Sequence, residues 1–334
     1  MSVIISTHNR PDALRLVLEG YGRSICRDFE VVVADDGSGP ETADLVRSMS
    51  RAASYRLQHV WQRHEGFRLA GARNQAAKSA SGDVLVLTDG DCVPLPETLT
   101  LPLERCVPGR AITGGRCLLT EEETLGILSR ELSTDKILAD VLRRDLPALR
   151  LLRWKNRFYA ITHLKPRPKL LTANAAVHRS DFEAVNGFDE RFVGWGYEDE
   201  DLARRLRRMG VQIADACNES LVLHLFHPVH ETHRPDARAS ANYRYFKLNR
   251  FLTKPLRGLK RRDPTELELE LTGEVPAALL PILPKARPNP PEVSLCFGKG
   301  LPGELPRGEV VFRHLRAESF PTLESLYRFL GELL

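Results

Sequence analysis

The sequence predicts an α/β fold: an open, twisted, mostly parallel mixed sheet flanked by helices, with a small C-terminal appendage. Three observations carry this. The runs "SVIIS" (Ser2–Ser6) and "EVVVAD" (Glu30–Asp35) are β-branched and apolar on both faces, as in strands covered on both sides. Segments of helical periodicity separate them. Acids follow the strands directly, at the carboxyl ends where open α/β sheets bind ligands.

The elements follow in order. "PDALRLVLEGYG" opens with Pro11, a favoured first-turn residue, and repeats apolar residues at helical spacing. "ETADLVRSMSRAA" sets Leu45, Val46, Met49 and Ala53 on one helical face. "LQHVWQ" is a third strand. "GARNQAAKSASG" is an alanine-rich helix ended by Gly82, and "DVLVLTDGD" is a fourth strand running into an acidic turn. The middle, from about Leu95 to Leu170, is more helical. Strand-like pieces return at "LLTANAAVH", "VQIAD" and "SLVLHLFH". "TGEVPAALLPILPKARPNPPE" is too proline-rich for a regular core and reads as a linker. The final stretch offers two short strands and an amphipathic helix.

Composition narrows the class. At 334 residues, 42% apolar and 28% charged, the chain has the make-up of a globular protein with a sizeable core. Its net charge of +4 gives no ground for general polyanion binding, so no nucleic-acid partner is expected. Six cysteines (Cys26, Cys92, Cys106, Cys117, Cys217 and Cys296) form no C-x-x-C pair and suit reduced thiols in a cytoplasm. The chain enters "SVIIS" without the pattern of a signal peptide, and no apolar run is long enough to cross a membrane. The expectation is a cytoplasmic protein, compatible with peripheral contact at the inner membrane surface.

In "TDGDC", Asp89 and Asp91 flank a glycine at the end of a buried strand. Two carboxylates on such a hinge can aim at one hard divalent cation, which also keeps phosphate oxygens in its shell. "DDGS" (Asp35–Ser38) follows the second strand; an ordinary Asp-Gly turn explains it, or Asp36 accepts hydrogen bonds from a base or ribose. "STHNRP" ends the first strand and lines the same crevice.

These residues, in this order from Ser2 to about Pro94, closely resemble the family 2 glycosyltransferases of the GT-A fold, a Rossmann-like sheet. The resemblance implies that Ser6, His8 and Asp36 contact the base and ribose of a UDP-sugar. It implies Asp89 on the ribose side, Asp91 on the diphosphate metal, and Arg73 facing the nucleotide.

The stretch "FVGWGYEDEDLARRLRRMG" reads first as a well-made helix. Acids lead and arginines follow, as the helix dipole favours. Glu200–Arg204 and Asp201–Arg205 are i, i+4 pairs; Leu202, Leu206 and Met209 form a core stripe; Gly210 ends the helix. That reading leaves "GWG" unexplained. Two glycines around a large ring imply close backbone approach and a fixed aromatic platform. From Thr172 to Leu206 the chain resembles the acceptor segment of β-1,4-galactosyltransferases and chondroitin-polymerase-type enzymes, G-F-D-E…G-W-G-x-E-D-x-D-L. By that resemblance Asp199 is the general base, Glu198 and Asp201 bind the acceptor sugar, and Trp195 walls donor and acceptor. Retaining relatives carry Asn where Asp199 stands, so an acid there implies inversion.

"VLHLFHPVHETH" supplies His224, His227, His230 and His233. Imidazole suits Mn²⁺, and Mg²⁺ prefers oxygen shells. In the relatives a histidine after the acidic signature completes the metal site. His224 is the first choice and His227 the second, with His230 and His233 as loop residues.

Two basic segments, "RLLRWKNRFYAITHLKPRPK" and "KPLRGLKRR", are solvated faces, or an anionic-acceptor clamp and a lipid contact respectively. The expected organisation is a nucleotide-sugar half (1–110), an acceptor half of the same domain (111–262), and a linker with appendage (263–334). The expected activity is a metal-dependent (Mn²⁺ or Mg²⁺) inverting transfer of a hexose or N-acetylhexosamine from a UDP-sugar to a glycan acceptor. A sugar-phosphate nucleotidyltransferase and a non-catalytic glycan-binding module are the competing classes.

Overall fold

A computed structural model of the chain describes residues 1–131, 134–164, 168–228, 240–249, 252–267, 269–273, 275–282, 293–297, 310–315, 319–320 and 322–333. The first four strands alternate with helices: β1 (Ser2–Thr7), α1 (Pro11–Gly22), β2 (Glu30–Asp35), α2 (Pro40–Ser50), β3 (Arg56–Trp61), α3 (Leu69–Ser79) and β4 (Val84–Asp89). Then come β5 (Cys92–Pro94), α4 (Thr100–Arg105), β6 (Arg110–Leu118), α5 (Glu121–Leu128), α6 (Thr134–Thr162), β7 (Asn174–His178) and α7 (Arg179–Ala184). The chain continues through α8 (Glu198–Arg208), β8 (Gln212–His224), α9 (Ala241–Leu248), β9 (Leu269–Gly273), β10 (Val293–Phe297), β11 (Val310–Leu315) and α10 (Leu323–Leu333).

An eight-stranded sheet runs in the order β3-β2-β1-β4-β7-β6-β8-β5. Strands β3, β2, β1 and β4 are parallel, β7 is antiparallel to both neighbours, and β6 and β8 pair in parallel. The sheet is therefore mixed, as expected. Every residue of β1 and β2 is buried, which explains their unbroken apolar runs. One core, with Leu14, Val17 and Leu18 of α1, covers one face. A second, built on Ala70, Ala76, Phe182 and Leu202, covers the other.

The parallel order brings the carboxyl ends of β1, β2 and β4 together. Ser6 lies in register with both Ala34 and Asp89. The motif-bearing turns after these strands thus share one edge.

Several local expectations change. Strand β6 lies in the stretch expected to be mostly helical; its glycines "TGG" give little β signal. The segments "VQIAD" and "SLVLHLFH" form one strand, β8, with an irregular register against β6 between Gly114 and Gly115. Helix α3 stops at Ser79, before Gly82. A three-stranded parallel sheet, β11-β10-β9, holds the appendage. Its strand β9 precedes the two expected from sequence, and Leu279 within the proline-rich stretch is fully buried in its core.

At Gly115, an added Cβ would fall on the carbonyl oxygen of Cys217 in the neighbouring strand. Backbone cannot yield as a flexible side chain would. Gly115→Ala should destabilise the fold by about 2 kcal/mol or more, read as a lower urea midpoint.

Candidate functional site

Three turns at the carboxyl edge build the first half of the site. After β1, Ser6 Oγ donates to Asp89 Oδ1 at 2.8 Å. After β2, the Asp36 carboxylate is 4% exposed and accepts from Gln62 Nε2 at 2.5 Å and from the Arg68 amide at 2.7 Å. His8 and His64 each bring Nδ1 to 3.0 Å from the Asp36 carbonyl oxygen, and their rings stack at 4.4 Å. The neighbouring Asp35 is fully buried; hydrogen bonds from His59 and Ser38 outweigh that burial and hold its carboxyl below the usual range.

After β4, the two acids of the turn take different partners. Asp89 faces Ser6 and Arg73, whose Nη2 lies 2.7 Å from Asp89 Oδ1. Asp91 faces His224 Nε2 at 3.7 Å and His227 Nε2 at 3.5 Å, with Arg10 Nη1 at 2.8 Å. Both histidines flank this carboxylate, because β5 pairs Cys92 opposite His224. One carboxylate with imidazole nitrogens fits Mn²⁺ better than an all-oxygen Mg²⁺ shell. The thiol of Cys92 is also within reach of Asp91 and His224. Burial and the nearby charges of Asp91 and Asp89 push its pKa well up. His230 and His233 lie outside the described residues.

The second half of the site is the start of α8. Gly194, Gly196 and Tyr197 all have positive φ, +83°, +97° and +76°. A tyrosine in that conformation is strained by roughly 1–3 kcal/mol, so its surroundings must hold it. Its ring packs on Phe246 at 5.2 Å and Tyr243 at 5.5 Å, both from α9. Asn242 of α9 donates to the Gly196 carbonyl at 3.0 Å. Trp195 is 45% exposed.

The four acids that follow separate by environment. The Glu198 side chain is 12% exposed, and its Oε2 is buried with no hydrogen bond. Burial and the charge of Asp199 push its pKa up to about 7. Asp199 accepts from the Glu200 amide at 2.7 Å; its pKa is raised, first by burial, and it titrates together with its neighbours. Glu200 pairs with Lys169 rather than with Arg204.

Asp201 corrects the expectation that it binds an acceptor. It is fully buried, with Oδ2 taken by Arg205 Nε at 2.6 Å and Oδ1 by Arg204 Nη2 at 2.5 Å. The helix fixes this, because positions 201 and 205 stack on one inward face. Arg204 turns from Glu200 to Asp201 for the same reason. Met209, expected in the core stripe, is 47% exposed, whereas Leu202 and Leu206 are buried.

Arg73 is the other correction. Its guanidinium is 1% exposed, so it is sealed beneath the site rather than open to a nucleotide. It donates to Thr172 Oγ1 at 3.0 Å and lies 3.9 Å from Glu198 Oε1, while its Nη2 holds Asp89. It thereby ties the two halves together.

Several participants escape a reading of the sequence alone. Arg10 lies within "STHNRP" but carries no signal of pairing with Asp91. Asp189 lies in the quoted G-F-D-E motif; it is fully buried, and burial with the charge of Asp201 raises its pKa to about 7. It accepts from the Tyr245 hydroxyl at 2.7 Å. Tyr245 and Asn242 come from α9 and Asn249 caps it, and no motif flags this helix.

The sheet and its flanking helices together have GT-A architecture. Residues 2–164 match the family model of glycosyl transferase family 2, and residues 157–231 match that of the N-terminal domain of galactosyltransferase. Just under half of the chain thus matches the family 2 glycosyltransferases. It is 32% identical over 224 residues to validoxylamine A glucosyltransferase of Streptomyces hygroscopicus subsp. jinggangensis, covering 63% of this chain and 52% of that one. It is 26% identical to the chondroitin synthase of Escherichia coli over 63% of this chain and 32% of that protein. The chain thus spans about half or less of the length of these relatives. A solved structure of TarS 1-349 from S. aureus with UDP-GlcNAc shares the fold at TM-score 0.50 and 15% identity, covering 74% of this chain and 64% of that one.

Asp201→Ala would leave Arg205 as an unpaired buried charge. Stability should fall by about 3–5 kcal/mol, measured by urea unfolding. The KM for any acceptor should change little in the fraction that remains folded.

Proposed function

We propose that this protein moves a hexose or N-acetylhexosamine from a UDP-sugar to a hydroxyl of a glycan acceptor, with inversion, in bacterial surface polysaccharide or glycoconjugate synthesis. The observation that carries this reading is the Arg73 bridge, which touches Asp89 on the strand-end side and approaches Glu198 on the α8 side. Groups suited to a nucleotide diphosphate and groups suited to a hydroxyl nucleophile are therefore held by one side chain. The names of the relatives, a glucosyltransferase and a chondroitin synthase, support the sugar class. A cytoplasmic location with peripheral membrane contact belongs to the same proposal.

The nucleotide would lie along Ser6, His8, Asp36 and Asp89, beyond the strand ends. Asp91, His224 and His227 would hold Mn²⁺. Such a cation neutralises charge on a diphosphate leaving group. Trp195 and Glu198 would receive the acceptor, the ring stacking on a sugar face. Asp199 would accept the proton of the attacking hydroxyl. As the new bond from acceptor oxygen to anomeric carbon forms, the bond from that carbon to the diphosphate oxygen breaks, and UDP carries away the electron pair. A carboxyl with a raised pKa is a stronger base than an ordinary one, which suits this role.

Three outcomes test the reading. In a UDP-release assay over a panel of UDP-sugars, EDTA should abolish turnover and added Mn²⁺ should restore it; full activity in EDTA would remove the metal assignment. Asp199→Asn should lower kcat by roughly 10²–10⁴-fold with the fold intact by circular dichroism. The pH profile follows from the raised carboxyls. Protonation removes the base, and burial raises the pKa of Asp199, so kcat/KM should rise with pH along a limb that lies above the ordinary carboxylate range. A limb at the ordinary carboxylate position would count against this assignment of the base.

A further inference from the structure

Helix α6 has two unlike faces. Its inner face is fixed: Val141 is fully buried, and Leu146 and Leu149 pack against the main core. Arg153 pairs with Glu219 and donates to Asn218 Oδ1 at 2.8 Å, and Asn156 donates to Asp215. These contacts set the rotation of the helix. At 3.6 residues per turn, Leu151, Trp154, Phe158 and Ile161 then line the opposite side. They are 55%, 65%, 45% and 69% exposed. Trp154 and Phe158 stack with centroids 6.1 Å apart. Single exposed leucines are ordinary; a continuous stripe of large apolar side chains on one helix is not.

The charge around the stripe has one sign. Arg150, Lys155 and Arg157 are exposed beside it, and none of the three forms an ion pair among the described residues. No Asp or Glu occurs between Asp145 and Asp181. The sequence reading gave the lipid contact to "KPLRGLKRR" instead. There Leu256 is buried and Leu259 half-buried against the second core, so that segment shows cations but no apolar face.

We propose that the outer face of α6 docks on an anionic lipid bilayer, with Trp154, Phe158, Leu151 and Ile161 entering the headgroup boundary and Arg150, Lys155 and Arg157 meeting lipid phosphates. An apolar stripe with Trp and Phe, rimmed by Lys and Arg, is the composition of helices that lie in a membrane interface. A second copy of the chain fits less well, because a two-fold contact on this face would oppose cation to cation. Docking also has a consequence for the site. The chain leaving α6 reaches Lys169, paired with Glu200, and Thr172, bonded to Arg73, within about a dozen residues. A bound α6 holds that edge of the site near the bilayer.

The test is co-sedimentation of the full chain with vesicles of phosphatidylcholine alone and of phosphatidylcholine mixed with phosphatidylglycerol. Binding should require the anionic lipid and weaken with salt. Trp154→Ser with Phe158→Ser should weaken it at least tenfold, and each of Arg150→Gln, Lys155→Gln and Arg157→Gln by roughly fivefold. All five positions are exposed, and none is among the residues assigned above to nucleotide, metal or acceptor, so UDP release onto a soluble acceptor should stay unchanged. The readout is lipid binding, so its failure leaves the transferase reading standing. Absence of anionic-vesicle binding overturns the proposal. So does binding that survives Trp154→Ser with Phe158→Ser, which would mark simple polyanion attraction. A dimer in sedimentation velocity that the same double variant dissolves would give the face to a second copy.

Discussion

The contact between Arg73 and its two acids constrains everything else in the site. A guanidinium this deeply buried cannot lose its charge, so it demands counter-charges close by. It finds Asp89 at 2.7 Å and Glu198 at 3.9 Å. One acid belongs to a strand end and the other to a helix start more than a hundred residues later. The pull of one cation fixes their separation. Next to Arg73, Asn74 holds Phe188 through both its amide and carbonyl, at 2.9 Å each. Helix α3 thereby anchors the G-F-D-E turn as well as the acids.

A second buried network sets the direction of α8. Asp201 and Asp189 share one interior with Arg205, whose Nη1 reaches the carbonyls of Val185 and Gly187 at 2.7 Å each. Burial first, and then the charge of Asp201, raises the pKa of Asp189 against the opposing pull of Arg205. Tyr245 of α9 and Asn249, which caps that helix, complete the hydrogen bonding. With the helix locked in this rotation, Asp201 points inward and Glu198 approaches Arg73. The acidic run is therefore one structural acid, one surface pair with Lys169, and two carboxyls with raised pKa.

Much of this was legible in the chain. Strand β2 and helix α1 begin and end where "EVVVAD" and "PDALRLVLEGYG" do, because continuous burial and helical periodicity are written locally. The pairing of Asp201 with Arg205 follows from a spacing of four. Strand β6 was not legible, since its two glycines serve a close approach to β8 that no local pattern announces. Helix α9 was equally silent, because its residues act only through partners that are distant in sequence.

The sequence by itself determined the class of fold, the order of the acidic turns and the family that they resemble. These depend on periodicity and on motifs whose residues are neighbours. Tertiary structure alone decided which carboxylates are free. It withdrew Arg73 and Asp201 from the crevice, set both His224 and His227 beside Asp91, and turned the apolar stripe of α6 to the outside. Burial and long-range pairing decide those matters, and neither is a property of a residue's sequence neighbours.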